Sequence, residues 1–195
     1  MPSASIKFDL PDSTATEALG RALACAWPGT VSCDATGGAG VTGTADAVDG
    51  TEGARAAGAV VYLQGELGAG KTTCVRSLLR AFGAAGPVRS PTYTLVETYA
   101  LPALTCVHVD LYRLQSLTEV DELGLRDLQG PDSLLLVEWP ERGAGALPGA
   151  DLRLVLSYAG DARQAEVAAP TALGVRWLGK LGLDSSLSSY VSHLT

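Results

Sequence analysis

The stretch Val60 to Arg76, VVYLQGELGAGKTTCVR, constrains the fold of this chain more than any other. Val60, Val61, Tyr62 and Leu63 form a short β-branched and aromatic run that suits a buried parallel strand. It breaks into GELGAGKT, which matches the pattern G-x-x-x-x-G-K-[ST] at Gly65, Gly70, Lys71 and Thr72. After it, Cys74, Val75, Leu78, Leu79 and Phe82 recur at helical spacing, as the helix following such a loop should.

The spelling follows from the chemistry. Gly65, Gly68 and Gly70 leave the backbone free to curl, so that the N–H groups of the run from Gly65 through Glu66, Leu67, Ala69 and Gly70 to Thr73 can turn inward on an anion. The N-terminus of the helix adds partial positive charge at the same place. Lys71 reaches the outer phosphates as a cation, and the Thr72 hydroxyl can sit on Mg²⁺. A chance glycine-rich turn is the plain alternative, but four fixed positions between a strand and a helix argue against it. Because the chain has no asparagine, the N-K-x-D guanine-reading motif is absent, which tilts the base toward adenine and the ligand toward ATP.

A length of 195 residues suits one α/β domain, and the net charge of −7 argues against an electrostatic grip on DNA, RNA or an anionic membrane. Any link to RNA would run through a partner or a local basic patch. Cys25, Cys33, Cys74 and Cys106 are scattered without a C-x-x-C pair and read as reduced thiols acting as small hydrophobes. The N-terminus lacks the apolar core of a signal peptide, and no run is long enough to span a membrane. The expectation is a soluble, cytoplasmic protein.

In chain order, Ser5 to Leu10 reads as a strand, and Pro11 to Thr14 as a turn and N-cap before a helix that stops ahead of Pro28. Residues 28–57 are Gly, Ala, Thr, Ser and Asp with almost no large hydrophobe, the composition of a mobile insertion. Ser90-Pro91 favours extended or turn backbone, and the β-branched residues after it suggest a strand. A strand over Thr105 to Tyr112 follows, then a short acidic helix from Ser116 and a second strongly buried strand, Ser133 to Trp139. Leu152–Tyr158 and Ala162–Ala168 read as a β-hairpin, Thr171–Leu181 as a helix, and 184–195 as a frayed tail. The sum is a single domain over 1–183: a mostly parallel central sheet flanked by helices, with an antiparallel hairpin near its C-terminal end.

A triphosphate needs a magnesium ion and, for hydrolysis, something to position water. Asp110 and Glu138 end apolar strands, where ligands of open α/β sheets lie. The alternative for each is a solvated carboxylate. Ser90, Thr92 and Thr94 form a hydroxyl-rich segment where a loop sensing the γ-phosphate would lie, or else decorate an edge strand. His108, between Val107 and Val109, reads as a strand side chain rather than a ligand.

Taken together, GELGAGKTT at Gly65 to Thr73, SPTYTLVE at Ser90 to Glu97, HVDLYRL at His108 to Leu114, ELGLRD at Glu122 to Asp127 and LVEWPERG at Leu136 to Gly143 resemble the bacterial TsaE (YjeE) family of tRNA threonylcarbamoyladenosine biosynthesis ATPases. The resemblance covers most of Ala59 to Ala168, and Leu10-Pro11-Asp12 looks like the family's start. It implies a magnesium-dependent ATPase, slow alone, that supports installation of threonylcarbamoyl on adenosine next to the anticodon. It would act with TsaB and TsaD and meet tRNA only through that complex. On this resemblance Lys71 neutralises the outer phosphates, Thr72 holds the metal, Glu138 completes the metal shell or orients water, and Asp110 stands behind them. Asp12 and Arg163 lie near the nucleotide, Ser90, Thr92 and Thr94 belong to the responsive loop, and Trp139 and Tyr112 shape the site or a partner surface. Residues 28–57 depart from the family, which has a shorter link there. A small-molecule phosphotransferase is the alternative on the same scaffold, with Arg142 its only candidate lid arginine. A nucleotide-dependent binding module without hydrolysis is a third.

Overall fold

Alternation with a period of two assigns the strand side chains to two faces of one sheet, and the helices cover those faces unequally. The computed structural model describes residues 4–28, 32–33, 39–40, 58–91, 93–102, 104–114, 116–125, 127–130 and 132–194. The chain runs β1 (Ala4–Leu10), α1 (Ser13–Cys25), β2 (Ser32–Cys33), β3 (Ala39–Gly40), β4 (Ala59–Gln64), α2 (Lys71–Ala81), β5 (Val96–Ala100) and β6 (Thr105–Asp110). It continues as α3 (Leu117–Glu122), β7 (Ser133–Glu138), a 3-10 turn at Pro140–Gly143, β8 (Leu152–Ala159), β9 (Ala162–Ala169), α4 (Ala172–Gly182), a second 3-10 turn at Ser185–Leu187, and β10 (Val191–Leu194).

Eight of these strands form one sheet in the order β10-β1-β9-β8-β4-β7-β6-β5, and β2 pairs with β3 separately. The expectation of a mostly parallel sheet needs correction. Only β8, β4, β7 and β6 run parallel to one another, whereas β1–β10, β1–β9, β8–β9 and β5–β6 are antiparallel. Connection length explains the division. The β8–β9 and β5–β6 links are too short for a crossover, while the link from β6 to β7 contains α3 and can return the chain in parallel. The hairpin itself forms where the alternation placed it, turning at Gly160 with φ +65°.

On the larger face, Phe8, Leu10, Val61, Leu63, Leu134, Leu136, Leu154 and Val167 meet α1, α2 and α4. Asp12 caps α1 by accepting from Ala15 N at 2.8 Å, an N-cap a strand-to-helix turn favours. Gly20 lets α1 press against α2, because a Cβ there would strike the Cys74 carbonyl. Trp177 of α4 is fully buried, lies edge-on to Trp27 at 4.9 Å and donates its indole N–H to Leu23 O at 2.9 Å. Truncating such a side chain costs about 3–5 kcal/mol. On the opposite face a smaller core of Val60, Val107, Val109, Leu135 and Val137 is covered by Leu114, α3 (through Val120) and the segment after β7.

The tail expected to fray instead folds back. Asp184 caps the second 3-10 turn, Leu187 is buried, and β10 pairs antiparallel with β1, placing Val191 opposite Phe8. A serine-rich composition did not prevent this, because backbone pairing with β1 needs few apolar side chains. The reading of 28–57 as a mobile insertion falls mostly outside the described residues.

Candidate nucleotide-binding site

Strand register brings the two acids together. β7 lies between β4 and β6, and its last residue, Glu138, stands opposite Leu63 on one side and Asp110 on the other. His108, Asp110 and Glu138 share the parity of Cys106, Leu134 and Leu136, which face α2. Thr72, in the first turn of α2, meets them there. Its Oγ1 donates to Glu138 Oε1 at 2.9 Å and lies 3.2 Å from Oε2. Glu138 is only 2% exposed.

The loop between β4 and α2 takes its shape from three glycines at positive φ, +133° at Gly65, +78° at Gly68 and +109° at Gly70. Two of them also admit close neighbours. A Cβ on Gly65 would collide with the Leu156 carbonyl, and one on Gly68 would lie 2.7 Å from Tyr158 Oη. Gly70 is the N-cap of α2 and offers no side chain to its first turn, so the N–H groups there are left for an anion.

Lys71 is buried and folds back on its own loop, donating to Gly65 O at 2.7 Å and Glu66 O at 2.9 Å. Burial lowers the pKa of its ammonium below the ordinary 10.5, and Glu138, Asp110 and Glu141 partly offset the shift. Trp139 covers it, with Nζ 4.0 Å from the ring centroid. Trp139 adopts left-handed backbone (φ +58°), and its ring lies 5.0 Å from that of Tyr112. Asp110 accepts from Ser90 Oγ at 2.6 Å and from Tyr112 N at 3.0 Å. Burial pushes the neighbouring Cys74 thiol up to about 12, as befits a packing cysteine.

Two clefts flank the loop. The larger, about 420 Å³, is lined by Lys71, Thr72, Ser90, Asp110, Glu138 and Trp139 together with loop residues from Leu67 onward. The smaller, about 160 Å³, collects Asp12, Thr16, Asp161 and Arg163 against Gly68, Ala69 and Gly70. Asp12 and Arg163 thus line one cleft and Asp110 and Glu138 the other, and Thr73 lines both. Arg163 stacks on Tyr158 at 4.1 Å, and the Tyr158 hydroxyl donates to Leu67 O at 2.8 Å.

The hydroxyl-rich segment divides. Ser90 reaches the site, Thr94 turns outward to Glu97 Oε1 at 3.5 Å, and Thr92 lies outside the described residues. His108 is a strand side chain of β6, as its place between Val107 and Val109 predicts, but it also reaches the site. Its Nε2 lies 3.0 Å from Glu138 Oε1 inside the protein. The available signal was its position two residues before Asp110, on the same strand face.

The donors suit the groups the motif implies. A hydroxyl and two carboxylates are hard oxygen ligands of the kind Mg²⁺ takes, and an uncapped helix start behind a glycine loop suits phosphate. Among the described residues no three His, Cys, Asp or Glu side chains gather as a cage, so a cation here would share its shell with phosphate oxygens and water.

A glycine loop joining strand to helix, with an acid from the adjacent strand end on the helix's first hydroxyl, defines a phosphate-loop nucleotide-binding fold. The family model for TsaE, the threonylcarbamoyl adenosine biosynthesis protein, matches residues 10–166. The chain belongs to the TsaE family. The tRNA threonylcarbamoyladenosine biosynthesis protein TsaE of Haemophilus influenzae is 49% identical over 115 residues, covering 59% of this chain and 73% of that one. Its Streptomyces coelicolor counterpart is 42% identical over 128 residues, covering 62% and 84%. A crystal structure of Bacillus subtilis YdiB shares the fold, with a TM-score of 0.65 at 23% identity over 93% of this chain and 97% of that one. No described helix is long and apolar enough to cross a membrane.

Proposed function

We propose that this chain is the ATP-hydrolysing component of the tRNA N6-threonylcarbamoyladenosine machinery, acting with TsaB and TsaD and meeting tRNA only through them. The observation that carries the ATPase part is the 2.9 Å contact between the Thr72 hydroxyl and the buried Glu138 carboxylate at the mouth of the glycine loop. Family membership supports the pathway.

In this reading the first-turn N–H groups of α2 and the loop from Gly65 to Thr73 hold the phosphates. Lys71 exchanges its two carbonyl partners for phosphate oxygens, a gain because the acceptor then carries charge as well as the donor. Thr72 and Glu138 hold magnesium, with Asp110 behind them. When bound, the ion neutralises charge on the phosphate oxygens. Glu138 also orients the attacking water and, being buried, does so without bulk solvent. Asp12 and Arg163 border the smaller cleft and face the nucleoside end. Ser90, hydrogen-bonded to Asp110, couples the 90–94 segment to the metal, so that ATP but not ADP orders that segment and alters the surface offered to the partners.

The phosphotransferase alternative relied on Arg142, whose guanidinium lies 5.5 Å from the Tyr112 ring centroid and 3.5 Å from Leu114 O. No other observation favours it. The deciding experiment is reconstituted tRNA modification with TsaB and TsaD. Lys71→Ala and Glu138→Gln should both fail to support turnover. Full activity of Glu138→Gln would make the chain a binding module without hydrolysis.

A further inference from the structure

His108 is 0% exposed, and it is the source of the one buried side-chain nitrogen or oxygen among the described residues without a hydrogen-bond partner, Nδ1. Its other nitrogen, Nε2, lies 3.0 Å from Glu138 Oε1. An unsatisfied buried polar atom is costly, so its retention calls for a gain elsewhere on the same ring. The neighbouring carboxylate supplies one. An ionised Glu138 can only accept hydrogen bonds, so Nε2 must carry the proton and donate.

We propose that His108 is a positioning residue: its Nε2–H grips Glu138 Oε1 from the protein interior and holds the carboxylate against the Thr72 hydroxyl. Oε1 then accepts from two sides, from Thr72 at 2.9 Å and from His108 at 3.0 Å. The strand frame makes the arrangement rigid. His108 stands opposite Leu136, two residues before Glu138 on β7, and both strands are buried along this stretch. A carboxylate at the end of a strand would otherwise turn about its own side-chain bonds, and the imidazole removes that freedom before nucleotide arrives. The role of His108 in turnover rests on the ATPase reading above, but the hydrogen bond does not.

Two measurements test it. In nucleotide-free protein, long-range ¹⁵N–¹H correlation of the His108 ring should show a proton on Nε2. A ring with no proton on Nε2 overturns the proposal. In ATP hydrolysis with TsaB and TsaD present, His108→Leu, which fills the space without a donor, should lower kcat by about 10–100-fold with KM for ATP unchanged. His108→Gln, which returns an N–H near the Nε2 position, should recover much of that loss. Equal kcat in the two variants, whether high or low, overturns the proposal, as does a parallel change in KM. Should the Leu variant fail to fold, the wild-type ring spectrum still decides. Should the wild-type protein bind no magnesium-ATP, the ATPase reading fails while the spectrum continues to report on the hydrogen bond.

Discussion

The Lys71 ammonium lies 4.0 Å from the centre of the Trp139 ring while donating to two carbonyls of its own loop. A cation over an indole is worth about 0.5–2 kcal/mol, so the lysine is parked rather than locked. Nucleotide arrival should draw it from the ring and change Trp139 emission. Trp27 and Trp177 lie in the main core, 4% and 0% exposed, and should not respond. Titration with magnesium-ATP should therefore alter tryptophan fluorescence in wild type, and Trp139→Phe should abolish the change while nucleotide still binds by calorimetry.

Removing the ammonium should be felt mainly in binding. Charged hydrogen bonds are worth about 1.5–3 kcal/mol each, so Lys71→Met should weaken ATP binding by at least about 10-fold. Isothermal titration calorimetry on the folded variant reads the loss directly.

The same lysine sets an alkaline dependence. Its native pKa lies below 10.5, so in the window between the two values the native protein has shed a proton that the unfolded chain keeps. In that window the Lys71 contribution makes stability rise with pH. Triphosphate favours the ammonium and restores the proton. Binding there should take up protons and weaken as pH rises, seen as a calorimetric heat that depends on the ionisation enthalpy of the buffer. Lys71→Met should lose this dependence.

Glu138→Gln keeps the shape and a partner for Thr72 but removes the charge that would hold metal and orient water. Hydrolysis in the reconstituted system should fall by about 100-fold or more. Nucleotide binding should persist, because the loop and Lys71 are untouched. A radiolabelled-ATP assay beside calorimetry separates the two.

Stability has its own weak point away from the chemistry. Gly20→Ala would drive a methyl into the Cys74 carbonyl and to within 2.9 Å of Ser77 Cβ, forcing α1 from α2. A loss of about 1–3 kcal/mol is expected, read as a lower urea midpoint.

Legibility in the sequence followed how local each feature is. The loop and its two strand-end acids were readable because glycine placement and a two-residue period are written in consecutive positions, and the structure brings Glu138 onto Thr72 as that pattern required. His108 was not, because its meaning lies in the β6–β7 register, which pairs residues far apart in sequence. Thr94 belongs with Ser90 in sequence but turns away from the site, just ahead of Leu95, whose φ of +62° no local propensity announces. The sheet was read as mostly parallel because its most apolar strands are, while the antiparallel ladders involve strands with weaker signals. The tail is the extreme case, since β10 takes its place only beside β1, at the other end of the chain.

The bare face of Gly65 has a mechanical corollary. With the Leu156 carbonyl set hard against it, the loop has a stiff backstop and cannot recoil toward the hairpin when charge arrives in front. A side chain at position 65 would wedge the loop away from β8, so the close seat of loop on hairpin depends on this one missing methyl.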